Sequence, residues 1–165
     1  MKQLIIILSF LAIAASAAAQ QNPRVVRRFE GELNIGTLNG FASGAVELRY
    51  NFRSHWDIGA RACIDGIAVA GGSNENYNIV ADYNFMQSKR VSPFVGVGSG
   101  ISVWHPDGMG YKKPNEEYFH IMPRVGIEFF NRMRITGYIN VVPKYYQDAD
   151  LGFSVGIVFG GGRKK

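Results

Sequence analysis

Between residues 44 and 64 the chain alternates, with Gly44, Val46, Leu48, Tyr50, Phe52, Trp56, Ile58, Ala60, Ala62 and Ile64 on one side. The other side takes Ala45, Glu47, Arg49, Asn51, Asp57, Gly59, Arg61 and Cys63. Side chains of a strand alternate with period two, so the pattern predicts two strands with one apolar and one ionic face. Arg53, Ser54 and His55 form the polar turn between them. That turn sets Phe52 against Trp56 and Glu47 against Arg61, an ion pair across the polar face.

The same period runs through the rest of the chain. Phe29, Gly31, Leu33 and Ile35 alternate with Glu30, Glu32 and Asn34, and Leu38-Asn39-Gly40 reads as a turn. Tyr77, Ile79, Ala81, Tyr83 and Phe85 alternate with Asn78, Val80, Asp82 and Asn84. Val95, Val97, Ile101 and Val103 share a face, as do Phe119, Ile121, Pro123, Val125, Ile127 and Phe129 opposite His120, Arg124 and Glu128. Ile135, Gly137, Ile139 and Val141 oppose Arg134, Thr136, Tyr138 and Asn140; Leu151, Phe153, Val155, Ile157 and Phe159 close the series.

The prediction is therefore all-β, with eight strands. After the first turn, short connections (53–55, 86–92, 131–133) alternate with longer ones near residues 70, 110 and 147. An even strand count with short turns on one side and long loops on the other is the plan of an antiparallel up-and-down transmembrane β-barrel.

Aromatic positions carry that choice over a soluble sandwich. Tyr50, Phe52, Trp56, Tyr83, Phe85, Phe94, Phe129 and Phe159 fall at one set of strand ends, and Phe41, Tyr77, Trp104, Tyr118, Phe119 and Tyr145 near the other. Two belts match the two lipid–water interfaces, whereas a sandwich concentrates aromatics mid-core. The apolar face is then expected to meet lipid. The lumen is expected to hold a charge network of Glu47, Arg49, Asp57, Arg61, Asp82, Arg124, Glu128 and Arg134, with Glu30, Glu32 and Asp65 also inward. Eight strands leave room only for side chains, so these charges must pair and plug the barrel.

Composition adds the compartment. Lys2 precedes the apolar run Leu4–Ala15, and Ala17-Ala18-Ala19 precedes Gln20, the three regions of a cleaved signal peptide. The expected layout is a signal peptide at 1–19, a periplasmic leader at 20–28, the barrel at 29–159 and a polar tail at 160–165. Without Lys2 the chain has 17 basic and 13 acidic residues, a net charge of +4. The basic residues are scattered along the sequence, which argues against nucleic acid as a partner. Lone Cys63 reads as a small packed side chain.

Three stretches then bear on kinship: Pro93-Phe94-Val95-Gly96-Val97-Gly98, Pro123-Arg124-Val125-Gly126-Ile127-Glu128, and the final strand Leu151–Phe159 ending in an aromatic. With the eight-strand plan, the chain resembles the small single-domain outer-membrane barrels of the OmpA and OmpX type of Gram-negative bacteria. The resemblance implies outer-membrane lipid and lipopolysaccharide as surroundings and the barrel-assembly machinery as a partner reading the C-terminal aromatic. Gly160–Lys165 after Phe159 departs from that signal.

Candidate chemistry is sparse. Gly96-Val97-Gly98-Ser99-Gly100 lacks the following helix a phosphate loop needs, so its glycines are expected to make room for lumen side chains such as Arg124. His55, His105 and His120 share no metal-ligand spacing, and no Ser–His–carboxylate set is legible. Glu116, Glu117, Asp148 and Asp150 form an acidic rim, read as solvated loop ahead of a cation site. No cofactor, metal or catalytic residue is expected. The function expected is structural or adhesive, with an outer-membrane lipid-modifying enzyme, a narrow channel and a periplasmic ligand-binding barrel as alternatives; the ligand of the outer loops is not legible.

Overall fold

The computed structural model describes residues 29–53, 55–66, 73–86, 90–105, 116–130, 132–143 and 149–160. The signal peptide, the leader, Tyr145, Asp148 and all of the tail but Gly160 lie outside them. Eight strands follow in chain order: β1 (Phe29–Leu38), β2 (Phe41–Asn51), β3 (Trp56–Asp65), β4 (Ser73–Asn84), β5 (Val91–His105), β6 (Glu116–Phe129), β7 (Met133–Val141) and β8 (Ala149–Phe159). Each pairs antiparallel with the next, and β8 pairs back onto β1 from Gly31↔Phe159 to Leu38↔Gly152. The barrel is closed, so neither β1 nor β8 is an edge strand.

Alternation decides which way each residue faces. Leu33, Ile35, Val46, Leu48, Ile58, Ile79, Val97, Val125, Leu151 and Ile157 are exposed, while Glu32, Glu47, Arg49, Asp57, Asp82, Arg124 and Arg134 are buried. Leu48 is 64% exposed and Glu47 beside it 1%. A wall this apolar is a surface for lipid, and the polar groups are enclosed by it.

Three local features depart from the sequence expectation. Leu38 belongs to β1 and pairs with Phe41, leaving a two-residue turn. Asn39 (φ 49°) and Gly40 (φ 85°) both adopt positive φ, the type I′ geometry whose twist suits a hairpin. This tip is tied to β8: Asn39 N–H donates to Leu151 O and Leu151 N–H to Asn39 Oδ1, each at 2.9 Å.

Next, β5 and β6 run longer than about ten residues, pairing up to Trp104↔Glu116. The polar residues near 75 and 117 look like loop in sequence, yet backbone pairing extends through them. Glu75 and Glu117 consequently sit on the outward register of β4 and β6, above the apolar band.

Finally, the lumen is not purely ionic. Leu38, Val80, Met122 and Tyr138 form a buried apolar cluster inside it. Pro123 lies in β6 where the pairing with β7 is interrupted between Ile121↔Val141 and Arg124↔Tyr138, since proline has no N–H to give.

Candidate functional site

The densest chemistry of the molecule is the network inside the barrel. Arg124 on β6 is its hub. Nη1 and Nη2 donate to the two carboxylate oxygens of Glu47 on β2 at 2.7 and 2.9 Å. Nε and Nη2 donate to Asp82 on β4 at 2.7 and 2.5 Å. Two bidentate clamps on one guanidinium use its planar fork fully. Arg134 on β7 also donates to Asp82 and lies 4.0 Å from Glu128.

A glycine makes the Arg124–Asp82 contact possible. Gly96 stands directly between them in register, Asp82↔Gly96 and Gly96↔Arg124. A Cβ there would fall 1.8 Å from Asp82 Oδ1. Gly98 likewise makes room for Met122.

Arg49 forms the second hub, 3.2 Å from Glu30, 3.1 Å from Glu32, 3.7 Å from Glu128 and 3.8 Å from Glu47. Glu47 and Arg61 are direct register partners at 3.5 Å. The tighter partner of Glu47 is Arg124, which sequence reasoning missed because it lies 77 residues away. Two cations rest on rings as well: the Arg134 guanidinium lies 3.5 Å from the centroid of Phe94, and Arg61 lies 5.1 Å from that of Tyr138.

Not every lumen acid meets an arginine at short range. Asp57 accepts from Asn84 Nδ2 at 2.7 Å. Asp65 accepts from Cys63 Sγ at 3.2 Å and from Asn76. Each of the four lumen arginines thus meets at least one carboxylate, while neutral donors serve Asp57 and Asp65.

The aromatics divide. At the end that carries Phe29 and Phe159, the ring of Phe29 meets that of Tyr50 at a tilt (4.9 Å between centroids), and Trp56, Tyr83 and Phe85 form a chain of edge contacts at 5.1 Å each. Phe52 and Phe159 are exposed there, and Phe129 is half-buried on the outward register. Tyr77, Phe119 and Phe41 are exposed near the other end. Phe94 is no belt residue: it is 1% exposed and lies in the lumen, against the missing side chain of Gly126. Trp104 and Tyr118 share the inward register of Ser102 and His120, so they line the mouth of the barrel instead of its lipid wall.

One pairing was not legible in the sequence. Ser102 Oγ lies 2.8 Å from His120 Nδ1, and also donates to Asn76. The signal lay in the register, where Gly100↔His120 and Ser102↔Tyr118 bring the two strands level. Among the described residues it does not form a catalytic triad. Both residues are buried, and the hydrogen bonds run from Ser102 through Asn76 to Asp65, leaving no carboxylate to orient His120. Among the described residues, no group of three or more His, Cys, Asp or Glu is arranged to hold a metal ion.

No family model matches the chain, and no curated protein matches it in sequence. Solved structures do match. The N-terminal β-barrel domain of Pseudomonas aeruginosa OprF superposes with a TM-score of 0.64 at 10% identity, covering 82% of this chain and 100% of that one. Neisserial surface protein A gives 0.61 at 13% identity, over 81% and 97%. The outer membrane enzyme PagL gives 0.52 at 14% identity, over 79% and 99%. The fold is that of the small eight-stranded outer-membrane β-barrels. One of these neighbours is an enzyme, so the fold alone does not assign a role.

Proposed function

With the outer-membrane barrel fold as premise, we propose that this protein spans the bacterial outer membrane as a closed barrel with a structural or adhesive role. The observation that carries the reading is the crossing of the lumen by Arg124, which links β2, β4 and β6 through Glu47 and Asp82. A lumen crossed by clamped ion pairs favours a role for the loops and wall over conduction through the barrel. The apolar wall supports lipid, with lipopolysaccharide at the loop end, as its immediate partner. The aromatic end of β8 at Phe159 supports delivery by the barrel-assembly machinery.

The test replaces residues 106–115, the segment joining β5 to β6, with a short glycine-serine link in cells that display the protein. The expected result is an unchanged amount of folded barrel in the outer membrane, with loss of attachment to surfaces or cells. Discrete conductance steps from the unaltered protein in planar bilayers would contradict the reading and favour a channel.

A further inference from the structure

Scattered in sequence, the basic residues are sorted by the fold. Four arginines are taken up by the lumen: Arg49, Arg61, Arg124 and Arg134. The remaining described ones, Arg53, Arg90 and Arg132, are all exposed, and each occupies a different turn at the end that carries Phe29 and Phe159. The described acids outside the lumen lie at the other end: Glu75, Glu116, Glu117 and Asp150.

In the sequence, further basic residues flank the strands that begin or end at the arginine rim. Arg24, Arg27 and Arg28 precede β1, Lys89 precedes β5, and Arg163, Lys164 and Lys165 follow β8. Asp107, Lys112 and Lys113 lie in the sequence between β5 and β6, and Lys144 and Asp148 between β7 and β8.

The arginine rim is fixed to the barrel. Phe130 N–H donates to Arg90 O at 2.6 Å, and Val158 N–H donates to Arg132 O at 2.7 Å. Exposed rings stand beside the arginines: Phe52 next to Arg53, Trp56 three residues on, Phe130 near Arg132, and Phe159. Rings of this kind settle at headgroup depth in a bilayer, and an arginine one or two residues past them reaches the phosphates.

We propose that this rim binds the anionic headgroups of acidic phospholipid in the leaflet it faces. The proposal rests on the membrane-spanning reading above. Three arginines from three turns make a distributed collar, with no convergent pocket of the kind a free phosphate would need. The collar would anchor the barrel vertically and favour insertion with this end toward the leaflet richer in acidic phospholipid.

Trp56 supplies the probe at the arginine end, and the exposed outward position of Phe119 supplies one at the other; Trp104, which lines the mouth, is removed from both proteins. The protein with Trp104→Phe, folded into vesicles, reports on lipid near Trp56; the protein with Trp56→Phe, Trp104→Phe and Phe119→Trp reports on the far end. Vesicles contain phosphatidylcholine with phosphatidylglycerol, one or the other brominated. The expected result is stronger quenching of Trp56 by brominated phosphatidylglycerol, a local enrichment of roughly fivefold, which is about one arginine's attraction to an anionic surface. The enrichment should vanish at high salt and in the Arg53→Gln, Arg90→Gln, Arg132→Gln variant, and be absent at position 119.

Equal quenching by both lipids at Trp56, the same preference at position 119, or a preference untouched by the triple substitution would overturn the proposal. So would salt-sensitive binding of soluble polyphosphate without lipid preference, which would assign the rim to a soluble polyanion. The salt series on the unsubstituted arginines decides the matter even where the triple variant does not fold. A chain that yields no heat-modifiable band in vesicles would instead remove the membrane reading itself, and the proposal with it.

Discussion

At the residue scale, the consequences of the fold concentrate on Arg124. Its guanidinium clamps the buried carboxylates of Glu47 and Asp82, and removing it takes that clamp from both. Breaking a buried pair by deleting one member costs about 3–5 kcal/mol. Arg124→Met is expected to lower stability by that amount, read from urea unfolding in lipid vesicles. Gly96→Ala tests the same contact from the other side. Its methyl would come within 1.8 Å of Asp82 Oδ1 and 2.7 Å of the Ala81 carbonyl oxygen, so backbone must shift. A loss of roughly 1–3 kcal/mol by the same measurement is expected, the scale of core overpacking. A neutral outcome at Gly96 would mean that Arg124 and Asp82 do not meet across it.

At the element scale, the two faces of one strand make opposite predictions. Leu48→Arg places a charge on the outward face of β2 at a position 64% exposed, where it is expected to cost about 2–4 kcal/mol and lower the yield of assembled barrel. Ser154→Ala, on the inward face of β8, is expected to assemble normally. Asn84 is a poorer control than its polarity suggests, because its amide serves buried Asp57. Equal outcomes at Leu48 and Ser154 in membrane-fraction yield would contradict the assigned faces.

Much of this was legible along the chain, because period-two alternation both defines a strand and assigns its faces. The β2–β3 register, with Glu47 opposite Arg61, follows from the length of the turn alone. What stayed hidden depended on closure. Arg124 reaches Glu47 across the barrel, Phe94 turns inward to meet Arg134, and Ser102 levels with His120 through a long loop. The upper parts of β4–β6 were missed for another reason: Glu75 and Glu117 are polar, and backbone pairing does not consult side-chain polarity.

At the scale of the whole molecule, an apolar wall encloses an ionic lumen, the inverse of a soluble fold. The same inversion accounts for the mean hydropathy near zero, since each strand contributes one face of each kind. Closure by β1 and β8 is what keeps both faces consistent, and the Asn39–Gly40 tip helps by bonding to Leu151. Gly40→Val would force a branched side chain to a φ of 85°. It is expected to cost at least about 1 kcal/mol and slow folding into vesicles, measured by the rate at which the folded band appears on gels.

The most direct test of the inverted barrel is electrophoretic mobility without boiling, after refolding from urea in the presence and absence of detergent or lipid. The account predicts a compact, faster band that forms only with amphiphile and reverts to the slower position on heating. A chain that stays soluble and folded without amphiphile, with one mobility before and after boiling, would contradict it.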